Sequence, residues 1–310
     1  MKKLSTLGLL LLAFTVFAQK TYDIKLNLKK GETYSVLSDI KMDMVQKVMG
    51  QEMPMKMNIT MAYSFKVLSL DKNLYTLEGK YNYLGNDMEM MGRNMKMASN
   101  INDENPANKM FAGMVNVPFT MKVKPNGDVV SVEGYEKVIE GMKNALPENM
   151  RAEGSKEFEK SFSKDQVAQT FKSTFFSIPP KPVKIGDTWE AVYGSQSNGL
   201  ELTNKMTCKL DAVENGVYKI SYIGNLAAKE GTSIEKNGMK MDVKKMTGTM
   251  TGNLALDKKT SWVKNSANKA DMNLQLEMKM GDSPMPMESD IKMDFTTTDQ
   301  AFPNPPAPAK

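Results

Sequence analysis

Histidine is absent from the 310 residues, and cysteine occurs once, as Cys208. The first absence removes histidine-based nucleophilic triads and histidine metal sites; the second removes disulfide frameworks and cysteine-rich zinc sites. A dense basic stripe interleaved with aromatics is also missing. The 41 Lys and Arg are interspersed with 36 acids and cluster only in pairs such as Lys29-Lys30, Lys244-Lys245 and Lys258-Lys259. That is the pattern of a solvated face, and no nucleic-acid partner is expected from it. Gly194-Ser195-Gln196-Ser197-Asn198-Gly199 has neither the lysine of a phosphate loop nor the spacing of a dinucleotide fingerprint. Acid–base work would fall to Asp, Glu, Lys or Tyr. Carboxylates such as Glu157 and Glu159, or Asp290 and Asp294, sit on polar faces where nothing apolar raises a pKa. Asn102-Asp103-Glu104-Asn105 does not match an EF-hand loop. No catalytic residue, no metal-ligand set of hard donors and no cofactor are therefore expected, and the chain reads as non-enzymatic.

Long apolar runs are missing with one exception. Lys2 and Lys3, the apolar stretch Leu4 to Phe17 and the small-residue end Val16-Phe17-Ala18 form a secretory signal over residues 1–18. The run is short for a membrane span and turns polar at Gln19-Lys20. The mature chain is expected to begin at residue 19, to be periplasmic or extracellular, and to carry no transmembrane segment. Loss of Lys2 and Lys3 takes the formal charge from +5 to +3.

What remains is ordinary in bulk, 41% hydrophobic and 25% charged, enough for one large or two modest domains. The anomaly is methionine, at 29 of 310 residues. Period-two alternation dominates, the mark of strands with one buried face. Met53, Met55, Met57, Ile59, Met61, Tyr63, Phe65 and Val67 alternate with Pro54, Lys56, Asn58, Thr60, Ala62, Ser64 and Lys66. Further runs are Tyr75 to Tyr83, Val115 to Val123, Leu200 to Leu210, Tyr218 to Leu226, Met272 to Met280 and Ile291 to Phe295. Asn126-Gly127 and Asn215-Gly216 supply hairpin turns. Cys208 alternates in step with Leu202, Met206 and Leu210, which makes it a small core residue. Between the β-rich halves, Val138, Ile139, Met142, Ala145 and Leu146 have helical spacing, as do Phe158/Phe162 and Val167/Phe171/Phe175, and Ser163 with Gln166 forms a capping box. Asn100 to Lys109 reads as a polar loop.

The two halves resemble each other. Lys29-Lys30-Gly31-Glu32-Thr33-Tyr34 recurs as Lys184-Ile185-Gly186-Asp187-Thr188-Trp189, residues 65–81 align with 208–224, and 121–134 align more weakly with 254–267. The expected fold is mainly β (α+β): two similar antiparallel β-meanders, curved or half-barrel, with two or three intervening helices. The segments are the signal at 1–18, a first meander at 19–133, a helical segment at 134–178, a second meander at 179–299 and a disordered proline-rich tail at 300–310.

Three stretches carry a family resemblance: Leu28 to Tyr34, Asn126 to Gly134, and Pro179-Pro180-Lys181-Pro182-Val183-Lys184-Ile185-Gly186-Asp187-Thr188-Trp189. With them the chain resembles a family of exported bacterial proteins that is a domain of unknown function. The resemblance implies an exported address and the β-rich layout; it implies no activity.

The methionines admit three readings. Methionine is not among the residues enriched in strands, and a flexible, polarizable side chain gives a face that re-packs around varied apolar shapes. This points to an apolar ligand such as a lipid, or an envelope protein partner, held on inner sheet faces by Met53, Met55, Met57, Met61, Phe65, Met278 and Met280. Met-x-Met units such as Met42-Asp43-Met44, Met88-Glu89-Met90 and Met285-Pro286-Met287 also suit a soft ion such as Cu(I) or Ag(I). A structural or interaction role, with the thioethers filling a core, is the third.

Overall fold

A computed structural model describes residues 20–148, 151, 167–168, 171, 175, 178–197, 200–228, 232–236, 239–280 and 283–300. The signal segment, the capping box at Ser163, the Phe158/Phe162 pair and the tail beyond residue 300 lie outside the described residues.

Among the described residues thirteen strands and two helices follow in the order β1 (Thr33–Val48), β2 (Gln51–Asp71), β3 (Leu74–Met90), β4 (Arg93–Ala98), α1 (Pro106–Met114), β5 (Phe119–Val123), β6 (Val129–Glu133), α2 (Glu136–Ala145), β7 (Thr188–Ser197), β8 (Leu200–Glu214), β9 (Val217–Ala228), β10 (Ser233–Lys236), β11 (Met239–Asp257), β12 (Val263–Met280) and β13 (Ser283–Thr298). The strands form one antiparallel sheet in the order β6-β5-β3-β2-β1-β13-β12-β11-β9-β8-β7, with β4 beside β3 and β10 beside β11. The mainly β, antiparallel architecture is as the alternation predicts. The two meanders are halves of a single sheet, zipped together where β1 pairs with β13.

Two local readings are corrected. Residues 100–109 are not all loop: α1 starts at Pro106, because Asn105 caps it by accepting from the Ala107 N–H at 3.0 Å and Pro106 occupies the first helical position, where no N–H is needed. The acidic stretch before it is used up in this cap, as Asp103 Oδ1 accepts from the Asn105 N–H and from Asn108 Nδ2. The run Val115 to Val123 becomes strand only at Phe119, because Asn116 is left-handed (φ 63°) and Pro118 has no N–H to give a ladder. Of the helices, α2 lies between the halves, while α1 is inserted within the first, between β4 and β5.

The internal repeat is a repeat of hydrogen bonds. In the first half the Gly31 N–H donates to Val67 O, Val67 N–H to Glu32 O and Glu32 N–H to Lys29 O; in the second, Gly186 donates to Leu210, Leu210 to Asp187 and Asp187 to Lys184 in the same pattern. Gly31 and Gly186 share a left-handed backbone, φ 87° and 93°. The register shift between Val67 and Ser69 recurs between Leu210 and Ala212, and that between Lys122 and Val123 recurs between Ala255 and Leu256. Bulges twist and bend a strand, so repeating them repeats the curvature.

That curvature is closed at one end by the N-terminal segment. Tyr22 pairs with Val183 ahead of β7, the Leu26 N–H donates to Pro125 O in the β5–β6 turn, and the Asn27 N–H donates to Thr260 O. In a flat sheet β5 and β7 would be about 43 Å apart, at ~4.8 Å per strand spacing. Four residues reach at most ~14 Å. The sheet is therefore curled, and it is the apolar face that lies inside: Ile24 packs with Trp189, Cys208 and Ile220, while Leu26 and Leu28 pack with Phe65 and Leu77. The core is densest at this near end, where Phe65, Phe119, Phe171, Phe175 and Trp262 stack edge-on and tilted. Among the described residues no helix is long and apolar enough to cross a membrane.

Candidate ligand-binding face

Residues directly opposite in an antiparallel ladder point to the same face, so the register assembles side chains that the sequence keeps far apart. One row crosses ten strands: Met95 (β4), Met88 (β3), Met57 (β2), Met42 (β1), Met293 (β13), Ala270 (β12), Met250 (β11), Gly224 (β9), Met206 (β8) and Ala191 (β7). Every member is methionine, alanine or glycine. The next row toward the far end holds Met90, Met55, Met44, Ile291, Met272, Gly248, Leu226 and Asn204. At the first half of the sheet these rows are half-exposed, and Met42, Met44, Met55, Met57 and Met88 belong to none of the three core clusters. At the second half the rows sink partly into the core: Ala270, Gly224, Met206, Leu226 and Asn204 are buried, Met206 fully, while Met293, Ile291, Met272 and Met250 stay half-exposed.

The opposite face carries the charge. Lys47–Glu52 and Lys205–Glu190 are exposed neighbouring pairs, each contributing little to stability on its own, and Lys244 pairs with a half-buried Glu277.

Two far-end hairpins, β1–β2 and β3–β4, carry a methionine at their tips. Met49-Gly50 and Met91-Gly92 turn with left-handed backbones, φ 52° and 80°, then 51° and 73°. Asn, Asp or Gly normally takes the first of these positions. Here it is a methionine, 78% exposed at Met49 and 72% at Met91. The near-end hairpins instead carry Lys72-Asn73 and Asn215-Gly216.

Met53, Met55, Met57, Met61 and Phe65 do share one face of β2. Only Met55 and Met57 enter the half-exposed methionine rows. Met61 packs against the first core cluster, and Phe65 is buried inside it against Tyr63, Phe171 and Trp262. Met278 stands opposite Met241 and Met285, further toward the far end and three strands from β2. Met280 ends β12, and its side chain lies outside the described residues. Met57's partners Met42 and Met88, and Met293 beyond Met42, sit in Met-x-Met units or alternating runs visible in the sequence; their adjacency is not, because it depends on register.

Within this face burial favours the neutral form of Tyr63, Tyr81 and Cys208. Burial pushes Tyr63 up to about 12, offset in part by its hydrogen bond with Ser38. Burial likewise raises Tyr81 well above its ordinary range, and its hydroxyl lies 3.2 Å from that of Tyr135. Cys208 is fully buried beside Trp189 and Tyr222, and burial pushes its thiol up to about 12.

The chain belongs to a family of unknown function (DUF6263), which matches residues 72–263. No curated protein matches it. Among solved structures it is similar to a chain from a study of lipid–protein interactions in lipovitellin, at 10% identity and a TM-score of 0.46, over 92% of this chain. It spans about a quarter (26%) of that lipovitellin chain. It is also similar to OpdQ of Pseudomonas aeruginosa (6% identity, TM-score 0.23, 87% of this chain and 99% of that one). An outer-membrane channel of Pseudomonas putida F1 matches at 8% identity and a TM-score of 0.26, over 88% of this chain and 97% of that one.

Proposed function

We propose that the chain is an exported, non-catalytic protein that binds an apolar ligand, or an apolar segment of an envelope partner, on the methionine-rich inner face of its sheet. The observation that carries this is the half-exposed block of Met42, Met44, Met55, Met57, Met88 and Met90 on three adjacent strands. A core-filling role would bury these side chains, as it buries Met121, Met206 and Met246. Thioether chains on a preformed curved surface adapt to an apolar shape at little cost. The basic start and apolar run of residues 1–18 support export. Native mass spectrometry of residues 19–310, purified gently from the exported fraction, tests the reading. A retained lipid-sized adduct is expected; a bare mass that takes up no added lipid removes it.

A second reading has its own support. Met95, Met88, Met57, Met42 and Met293 stand side by side on five neighbouring strands, and adjacent thioethers suit Cu(I). Stoichiometric Cu(I) uptake in competition with a chromogenic chelator, lost when Met42, Met57 and Met293 become leucine, would favour it. No uptake at chelator-buffered Cu(I) removes it.

A further inference from the structure

One level nearer the closed end than the methionine row, a third row crosses the same face: Asn86 (β3), Ile59, Ile40, Phe295, Asn268 (β12), Gly252, Tyr222, Cys208 and Trp189 (β7). Asn86 Oδ1, Asn268 Oδ1 and Trp189 Nε1 are shielded from solvent and have no hydrogen-bond partner among the described residues. All three lie in this one row. Such atoms are rare in folded proteins, because an unpaired buried polar group forfeits its hydration without return. Asparagine is also depleted from strands, yet two stand mid-strand on the apolar face at one level.

The row beside it, toward the closed end, adds hydroxyls. Ser38 Oγ and Thr297 Oγ1 are 3.3 Å apart on β1 and β13, and Ser266 Oγ accepts from Asn268 Nδ2 at 3.4 Å. The face is thus zoned along the strands, with thioethers toward the far end, then a belt of neutral amide and hydroxyl groups, then the aromatic core. No charged side chain stands in the methionine row of Met42, in the asparagine row, or among Leu84, Met61, Ser38, Thr297 and Ser266. A carboxylate or phosphate brought to this belt would be buried without a counter-ion, at heavy cost.

We infer that the ligand of this face is an uncharged amphiphile, its hydrocarbon lying on the methionine rows and a hydroxyl or amide of its headgroup donating to Asn86 or to Asn268, which stand four strands apart in the row. The inference rests on the apolar-ligand reading above and adds the class of headgroup. The two asparagine oxygens are acceptors, so the headgroup must carry donors; an ester alone brings none. Trp189 Nε1, unpartnered among the described residues, offers a donor to a ligand oxygen.

Four ligands with the same C18 chain, each below its micellar concentration, test this by displacement of a fluorescent apolar probe from the mature chain: monooleoylglycerol, methyl oleate, oleate at pH 8 and a lysophospholipid. Monooleoylglycerol is expected to bind about tenfold more tightly than methyl oleate, the return on pairing one buried acceptor. Oleate and the lysophospholipid should bind more weakly than monooleoylglycerol. The double variant Asn86→Leu/Asn268→Leu, checked for an unchanged melting profile, should bring monooleoylglycerol down to the level of methyl oleate and leave methyl oleate unaffected, and one of the two single variants should do the same. If oleate or the lysophospholipid binds as tightly as monooleoylglycerol, or if methyl oleate does, the headgroup inference is overturned while the apolar face stands. If none of the four displaces the probe, the apolar-ligand reading fails and this inference fails with it. The headgroup comparison uses the unmodified protein, so it holds even where a variant does not fold.

Discussion

Gly79 on β3 lies directly opposite Phe119 on β5, and the phenyl ring occupies the space where a Cβ on Gly79 would stand, 2.6 Å from Cε2 and Cζ. In the second half the same cross-strand pair is exchanged. Tyr222 on β9 now supplies the ring and Gly252 on β11 the glycine, whose Cβ would lie 2.7 Å from the tyrosine hydroxyl. A glycine in a strand is weakly held by its own propensity, and a ring laid across it from the partner strand recovers buried area. The two halves thus solve one packing problem with the roles of the strands reversed.

Gly79→Ala should therefore destabilise the fold by about 1–3 kcal/mol, the usual cost of overpacking a core. Urea unfolding followed by tryptophan fluorescence measures it, and the double variant Gly79→Ala/Phe119→Leu should recover part of the loss. A neutral Gly79→Ala would mean that the ring is free to move off the strand.

The helices meet through backbone. A Cβ on Gly113 of α1 would run into the carbonyl of Gly141 of α2, and a Cβ on Gly141 into that of Gly113. Backbone cannot swing aside as a side chain can, so either alanine must part the helices. Elsewhere in an exposed helix Gly→Ala gains about 0.5–1 kcal/mol; at these two positions it should cost stability, and thermal melts of G113A and G141A read the sign directly.

Cys208 gives a pH dependence. Its thiol, ordinarily near 9.0, is pushed up to about 12 by burial, so the folded state holds a proton that the unfolded chain gives up first. The stability this contributes is complete below about pH 9 and is lost as pH rises from 9 toward 12. Tyr63, raised from 10.0 to about 12, acts with the same sign between those values. Denaturant midpoints should fall above pH 9, less steeply in Cys208→Ala. In the native state a thiol reagent at pH 8 should modify Cys208 only at the rate of unfolding; rapid labelling would contradict its burial.

Met57 separates packing from binding. It is half-exposed, and leucine nearly matches its volume, so Met57→Leu should cost under about 1.5 kcal/mol and retain an apolar ligand. Met57→Glu puts a charge in the middle of the methionine row and should abolish apolar-probe binding while the circular dichroism spectrum is kept. Undiminished probe binding by Met57→Glu would remove the row from the site.

Much of this protein is fixed by the sequence itself. Alternation alone sets the face of each strand, since the side-chain period of a strand is two whatever the strand pairs with. Tyr63, Phe65 and Val67 could only be inward, and the Lys-x-Gly-Glu/Asp-Thr turn could only need its left-handed glycine. The recurrence of those turns and of the 65–81 stretch likewise carries the duplication, because a repeated local sequence repeats its local hydrogen bonds. Register and curl are different in kind. That Met57 meets Met42 and Met88, that β1 closes on β13 with some 250 residues between them, and that Asn86, Asn268 and Trp189 fall on one level all depend on contacts distant in the chain. A shift of one strand by two residues would keep every face intact and move each methionine to a different neighbour. Only the closed set of pairings, with the N-terminal segment drawn across the near end, decides which side chains share the site.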